Sequence, residues 1–257
     1  RGFSFSKPLA MITLAFMSWL LCIWGLAKPN QLTLYLITTL FIFTLIFNKT
    51  YISSLRSTKS ALWKNILVSE IIFISVFTIF ALIKFLDPSI NHTEQPMDFA
   101  FLNASINSPT GGPLDPWMSG HSISYYYFGY WIFGVMSNIS SVPSSYAYNL
   151  ALISIPALSA SAIYGIFASI IGTKTITNIR PLFVALFGSV IALNFIGNLY
   201  AMIAFFRDNS VGGEAFWRFV CLDGLTPLEN SSTLSWYPTD FWWWFKGTRI
   251  INYFGEN

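Results

Sequence analysis

The sequence predicts an all-α fold, a polytopic transmembrane bundle of five to six membrane helices with a long external loop. Composition is the first reason: of 257 residues, 54% are apolar and only 10% are charged, whereas a soluble chain carries about 25% charged residues. The second reason is the length of the apolar stretches, which suits helices that cross a bilayer. Together these observations exclude a soluble enzyme, a disordered chain and a disulfide-rich secreted module.

Six apolar stretches are candidate membrane helices, since a transmembrane helix needs about 17 to 25 residues. They are continuously apolar rather than alternating, which favours helices over barrel strands. The third stretch holds Glu70 and Lys84 near its two ends, from which both side chains can reach the headgroups. The six stretches are 8–27, 32–47, 66–86, 123–142, 146–171 and 181–206.

The charges of the connecting loops predict the orientation. The loop between the second and third stretches has four basic residues and no acid, so we expect it in the cytoplasm. Residues 87–122 contain four acids and no Lys or Arg, so we expect this loop on the external side. The basic residues are Lys49, Arg56, Lys59 and Lys64, and the acids are Asp87, Glu94, Asp98 and Asp115.

Beyond residue 122 two topologies stay open. If 123–142 crosses the membrane, the tail 207–257 is cytoplasmic. If 123–142 is re-entrant or interfacial, Lys174 and Arg180 are cytoplasmic and the tail is external. We favour the second version, because basic loops prefer the inside and the aromatic run 125–131 is typical of an interface belt.

These expectations divide the chain into an N-terminal helix hairpin with its cytoplasmic loop, 1–65, and a membrane core, 66–257. The core includes the external loop 87–122 and the aromatic tail 207–257. The chain is interpreted as a multi-pass integral protein of the cell membrane, with the lipid bilayer as its partner. A net charge of only +3 without a dense basic run argues against nucleic acid.

The external loop holds the candidate catalytic residues Asp98, Glu94 and Asp115. Neighbouring carboxylates can act as a general base or bind a divalent cation through oxygen, and for Asp98 and Glu94 the cation would be Mg²⁺ or Mn²⁺. A short helix over 96–106 would place Glu94 at its start and Asp98 in its first turn, where the helix dipole favours negative charge. The ordinary alternative is that these acids cap helices and face solvent. His92 and His121 lack the spacing of a zinc site.

The candidate substrate-binding residues lie in two aromatic segments. Tyr125, Tyr126 and Tyr127 join an apolar face to a hydroxyl, which suits stacking on a sugar or a polyprenyl chain, and His121 lies just before them. Lys246 and Arg249 follow seven aromatics within ten residues and would hold a lipid phosphate. An interfacial belt and headgroup anchoring are the respective alternatives.

Several spaced motifs together resemble the YYY membrane proteins of archaea and Chloroflexi-type bacteria, a family named for its tyrosine triplet. The match runs in order over nearly the whole chain, but Gln95 stands where the family usually has Lys, and Thr248 where it usually has Ser. A further motif of that family would lie beyond Asn257, so we expect the chain to be the N-terminal part of such a protein. The motifs are Phe3–Lys7, Glu94–Ala104, Asp115–Trp117, Tyr125–Gly129, Ala147–Ala151 and Phe241–Ile250.

This resemblance implies a GT-C-like fold and a membrane glycosyltransferase that uses a polyprenyl-phosphate-linked sugar donor at the external face. It implies that an acid of the first external loop is the base or helps to hold a metal. Asp98 is the first choice for that acid, and Arg249 would grip the donor phosphate. The rival interpretation is a non-enzymatic membrane protein, either a structural subunit or a transporter. Uncharged stretches at 123–142, 146–171 and 181–206 count against an ion-coupled transporter.

Overall fold

The fold is helical throughout the part of the chain that the computed structural model describes, namely residues 2–28, 30–48, 61–91, 94–170, 183, 187–188, 199–209 and 211–220. A 3₁₀ turn, Phe3–Phe5, leads directly into the first helix. The only pairing of extended backbone within these ranges is a single antiparallel bridge between Leu114 and Ser122. The helices are α1 Ser6–Ile23, α2 Gln31–Phe47, α3 Ala61–Leu86, α4 Gln95–Ile106, α5 Phe128–Ser140, α6 Ser144–Ile170, α7 Leu199–Asp208 and α8 Glu214–Val220.

Three of the described segments are long and apolar enough to cross a bilayer: Phe3–Ile23, Asn65–Leu86 and Ser144–Ile170. The apolar helix α2 is shorter, with 17 residues, and begins at Asn30, whose side chain accepts a hydrogen bond from the Thr33 amide at 2.9 Å. That cap satisfies one of the amides left without a partner at a helix start. The predicted all-α membrane fold is thereby confirmed. The predicted stretch 181–206 lies largely outside the described residues.

Helices α3 and α6 form an antiparallel pair. The Ser69 and Ser161 hydroxyls are 2.8 Å apart, and further along the pair the Asn149 side-chain amide donates to the Pro88 carbonyl at 3.0 Å. Residue numbers therefore rise along α3 while they fall along α6. The end of α3 and the start of α6 lie together, and residues 87–143 connect them there. We call this the loop end of the pair.

Helix α5 is part of the loop-end segment. It has 13 residues, which corresponds to about 20 Å of helix, whereas the hydrocarbon core of a bilayer is about 30 Å thick. Both ends of α5 lie near the loop end: the residue before it, Tyr127, contacts Trp19 of α1, and Val142 after it packs against Ala147 and Tyr148 of α6. This geometry favours the interfacial version of the predicted stretch 123–142.

Helix α1 runs alongside the pair, with its start far from the loop end. There the Ser161 hydroxyl donates to the Ser4 carbonyl at 3.4 Å, and Gly165 lies so close to Ser4 that an added Cβ would be 2.7 Å from the Ser4 Cβ. Lys7 forms an ion pair with Glu70 of α3. The Glu70 side chain is thus held by a neighbouring helix, where the sequence had suggested contact with headgroups. Its partner, Lys7, also lies 4.6 Å from the centre of the Phe73 ring.

The far end of α1 packs on α2 and α5. Trp131 of α5 is fully buried, and its indole N–H donates to the Ala15 carbonyl at 3.0 Å. Leu34 of α2 and Val135 complete this cluster. Because α1 and α2 pack in this way, they belong to the same compact unit as α3 to α6, Arg1–Leu186.

A second compact unit comprises Phe187–Asn257. Within its described part, Ile203 of α7 and Trp217 of α8 form an apolar cluster with Phe206 and Phe216. Arg207, at the end of α7, donates from its Nε and Nη2 to the buried Asp208 carboxylate.

Candidate functional site

The first turn of α4 positions the acid that the sequence favoured. Glu94 precedes the helix and accepts, through its backbone carbonyl, the amide of Asp98 at 3.0 Å. Pro96 occupies the first turn, where its missing N–H has no intrahelical partner to lose. Asp98 lies in that turn and is half-buried, while Glu94 is exposed. The helix expected over 96–106 is therefore present, as Gln95–Ile106.

Two tyrosines from other helices hold the Asp98 carboxylate. Tyr130 of α5 donates its hydroxyl to Oδ1 at 2.5 Å, and Tyr148 of α6 lies 3.5 Å from Oδ2. Both rings are fixed by neighbours on α4, since Phe99 meets Tyr148 edge-on at 5.9 Å and Phe101 contacts Tyr130 at 5.5 Å between ring centres. Asp98 is therefore the point at which α4, α5 and α6 meet.

The electrostatics keep Tyr130 as a neutral donor. Burial, followed by the hydrogen bond to Asp98, raises the pKa of the Tyr130 phenol above its ordinary value. A neutral phenol donates a hydrogen bond to the carboxylate oxygen and so stabilises negative charge there. Each carboxylate oxygen has a second lone pair, so the two phenols leave Asp98 with capacity to accept one further proton or ligand.

Two members of the tyrosine triplet lie beside these acids. The Tyr125 hydroxyl donates to that of Tyr126 at 2.7 Å, and Tyr125 stacks on Phe101 at 5.7 Å. The hydrogen bond to Tyr126 is the largest cause that raises the pKa of Tyr125 to about 12, and the charges of Glu94 and Asp98 add to it. The structure therefore brings Asp98, Glu94, Tyr125 and Tyr126 together, with an open aromatic face at Tyr126.

Tyr127 points elsewhere. Its hydroxyl accepts from the Trp19 indole at 3.0 Å and is 3.3 Å from the Gly111 carbonyl. The first contact joins the loop-end segment to the C-terminal end of α1. The second lies within the loop-end segment, at the point where Gly111 approaches α1. In the structure Tyr127 connects parts of the fold through its hydroxyl. The sequence had instead grouped it with the substrate-binding tyrosines.

Asp115 and His121 belong to a turn. One Asp115 oxygen accepts the amides of Trp117 and Met118 at 2.8 and 2.9 Å, and the Asp115 amide donates to the His121 carbonyl at 2.8 Å. His121 is exposed. Asp115 thus shapes the backbone, and no contact in the described residues joins its carboxylate to Asp98.

The remaining candidates fall outside this constellation. Lys246, Arg249 and His92 lie outside the described residues. Asp87 follows α3, and its carboxylate accepts the Ser89 amide at 3.2 Å, which suits a residue that ends a helix before Pro88.

A divalent cation bound by Asp98 and Glu94 would have few protein oxygen atoms to coordinate it. Across the described ranges no group of three or more His, Cys, Asp or Glu side chains is arranged to hold a metal ion. The Asp98 oxygens already accept or approach phenol hydroxyls. The residues present fit proton transfer better than a closed cation site, and the cation stays a prediction.

The profile of a family described as "Uncharacterized membrane protein (DUF2298)" matches residues 13–255. The chain belongs to this DUF2298 family. No curated protein and no solved structure matches it. Membership establishes a membrane protein, in agreement with the composition and with the long apolar helices.

Within this DUF2298 chain, Tyr130 and Tyr148 are the site residues that sequence reasoning missed. Tyr130 lies in the aromatic run 125–131 and Tyr148 in the motif Ala147–Ala151, and neither residue received a role from the sequence. Their separation from Asp98 is 32 and 50 residues. The only available signal was a polar hydroxyl inside otherwise apolar helices.

Proposed function

We propose that the chain belongs to a membrane glycosyltransferase that transfers a sugar from a polyprenyl-phosphate donor at the external membrane face. The observation that carries the proposal is the Asp98 carboxylate, half-buried and held between the Tyr130 and Tyr148 phenols at the loop end. A general base must be positioned by its surroundings, and rigid helices do so better than a flexible loop.

In this proposal Asp98 accepts the proton of an acceptor hydroxyl. As that oxygen bonds to the anomeric carbon of the sugar, the carbon–oxygen bond to the polyprenyl phosphate breaks and the phosphate leaves with the electron pair. Tyr125 and Tyr126 would face the acceptor sugar, since their rings and hydroxyls lie beside Asp98 and Glu94. Lys246 and Arg249 are assigned to the donor phosphate by sequence alone.

The experiment is a transfer assay with the full-length protein in vesicles containing radiolabelled polyprenyl-phosphate sugar. Asp98→Asn keeps the size of the side chain but removes its charge, so we expect the rate to fall by about 10² to 10⁴. Asp87→Asn is the control, because Asp87 ends α3 and accepts from Ser89, and it should retain activity. Loss in Asp87→Asn with activity retained in Asp98→Asn would assign the base to the other carboxylate. Full activity in both variants would remove the acidic-loop mechanism.

A second candidate is a structural subunit, and one observation favours it. Phenols from two helices meet the Asp98 carboxylate, so this residue is also a joint between α4, α5 and α6. If that is its whole role, Asp98→Asn should lower thermal stability, and the wild-type protein should transfer no sugar.

A further inference from the structure

Residues 113–123 form a short hairpin in the loop-end segment, which we call the aromatic hairpin. Leu114 bridges to Ser122, and the Ile123 amide donates to the Pro113 carbonyl at 3.1 Å. At the tip, the Asp115 carboxylate holds the Trp117 and Met118 amides, and Gly120 has a φ of +81° that favours glycine. These bonds fix the backbone of the tip locally.

The base of the aromatic hairpin is anchored on the C-terminal end of α1. Pro113 and Ile123 are buried. Just before them Gly111 approaches α1 so closely that an added Cβ would be 2.7 Å from the Trp19 carbonyl oxygen. The apolar segment Phe3–Ile23 has 21 residues, about 31 Å of helix, which equals the thickness of the hydrocarbon core. The end of α1 therefore lies at a membrane surface, and so does the hairpin base.

The tip presents large apolar side chains that nothing in the described structure covers. Leu114, Trp117 and Met118 are 50%, 64% and 63% exposed. Trp24 and Leu26, which follow the end of α1, are likewise 65% and 70% exposed. The two titratable residues of the hairpin are Asp115, whose carboxylate is turned to backbone amides, and His121.

We propose that the tip of the aromatic hairpin inserts into the headgroup layer of the bilayer at the loop end. Tryptophan is enriched at this depth because its ring combines an apolar body with a polar N–H. An exposed apolar patch on a hairpin whose base rests on the end of a membrane helix has lipid as its natural partner. This inference does not depend on the proposed enzymatic activity.

Insertion also determines where the Asp98 site lies relative to the membrane. Trp117 contacts Phe101 edge-on at 5.6 Å, and Phe101 in turn packs on Tyr125 and Tyr130. A hairpin tip in the headgroup layer therefore places Asp98 two ring contacts, Trp117–Phe101 and Phe101–Tyr130, and one hydrogen bond away from that layer.

The test uses the full chain with Cys22 and Cys221 replaced by Ala, reconstituted in phosphatidylcholine vesicles. A single Met118→Cys carries a polarity-sensitive fluorophore, and Asn107→Cys, exposed at the end of α4, is the matched control. We expect the probe at 118 to emit at shorter wavelength, to resist aqueous iodide at least several-fold better than the probe at 107, and to be quenched by nitroxide-labelled lipid.

Two results would overturn the inference. Equal quenching of both probes by iodide would place the tip in water. Protection from iodide without quenching by nitroxide lipid would show that protein covers the tip, either residues 221–257 of this chain or a second copy.

Discussion

At the scale of single residues, the proposed site consists of three side chains, Asp98, Tyr130 and Tyr148, which meet at the Asp98 carboxylate. The resemblance pointed to Asp98, which also stands in the first turn of a helix, where the dipole favours negative charge. Its partners Tyr130 and Tyr148 lie on two later helices, so only tertiary packing brings them to the carboxylate. The sequence therefore offered the acid as a candidate, and it contained no information about what holds the acid.

The hydrogen bond from Tyr130 should contribute more to the free energy of unfolding than the contact from Tyr148. A hydrogen bond to a charged group contributes about 1.5 to 3 kcal/mol, and the Tyr130 contact at 2.5 Å is shorter than the Tyr148 contact at 3.5 Å. We expect Tyr130→Phe to lower the free energy of unfolding by about that amount and Tyr148→Phe to lower it less. Unfolding in mixed micelles of increasing dodecyl sulfate content measures both.

Tyr126→Phe is the control for these two variants, because Tyr126 is 76% exposed and its hydroxyl only accepts from Tyr125. Its stability should equal that of the wild type within error. A larger loss in Tyr148→Phe than in Tyr130→Phe would mean that the contacts are ranked incorrectly.

At the scale of the elements, the length of an apolar stretch predicted the helix well where that helix is long enough to cross the hydrocarbon core of the bilayer. The stretches 66–86 and 146–171 correspond to Ala61–Leu86 and Ser144–Ile170. The stretch 123–142 became only Phe128–Ser140, since the residues before Phe128 instead join the loop to α1 and to the aromatic cluster. Composition alone could not separate an apolar residue that faces lipid from one that packs within a loop.

The contact between α6 and the 3₁₀ turn that precedes α1 offers a test with a matched pair of glycines. An added Cβ at Gly165 would meet the Ser4 Cβ at 2.7 Å, whereas at Gly129 it would meet nothing within 4 Å. We expect Gly165→Ala to destabilise the protein by about 1 to 3 kcal/mol through overpacking. Gly129→Ala should be neutral or stabilising by up to about 1 kcal/mol, because alanine favours the helix.

Thermal unfolding in detergent compares these two variants. Equal stability of Gly165→Ala and Gly129→Ala would show that the start of the chain does not pack on α6 as closely as described.

The ion pair between Lys7 and Glu70 is the second element-scale test. The two side chains remain about one-third exposed on the protein, at 35% and 30%, so the pair should contribute about 1 kcal/mol, the upper end for such pairs. Glu70→Gln and Lys7→Met should each destabilise α1 packing, and the exchange Lys7→Glu with Glu70→Lys should restore most of the loss. A double-mutant cycle that gives no coupling between the two positions would remove the pair from the account.

At the scale of the whole first unit, the antiparallel pair of α3 and α6 determines which residues share a membrane face. Contacts at Ser69–Ser161 and Pro88–Asn149 place residues 87–143 at one end of the pair. The charge contrast between the loops 48–65 and 87–122 predicts that this end is external. Sequence alone left the path after residue 122 open, because it could not show that both ends of α5 lie among elements of the loop end.

The most direct test of the central claim, that the Asp98 site lies on the external face, is cysteine labelling of intact cells with a membrane-impermeant maleimide. The reporters are Asn107→Cys and Ser145→Cys, both exposed, in a background without Cys22 and Cys221; Ser108 is unsuitable because it is buried. We expect labelling at 107 and at 145 from outside, and labelling of Ser57→Cys only after the cells are opened. Labelling at 107 with protection at 145 would mean that the stretch 123–142 crosses the membrane. Protection at 107 with labelling at 57 would place the Asp98 site on the cytoplasmic face and contradict the claim.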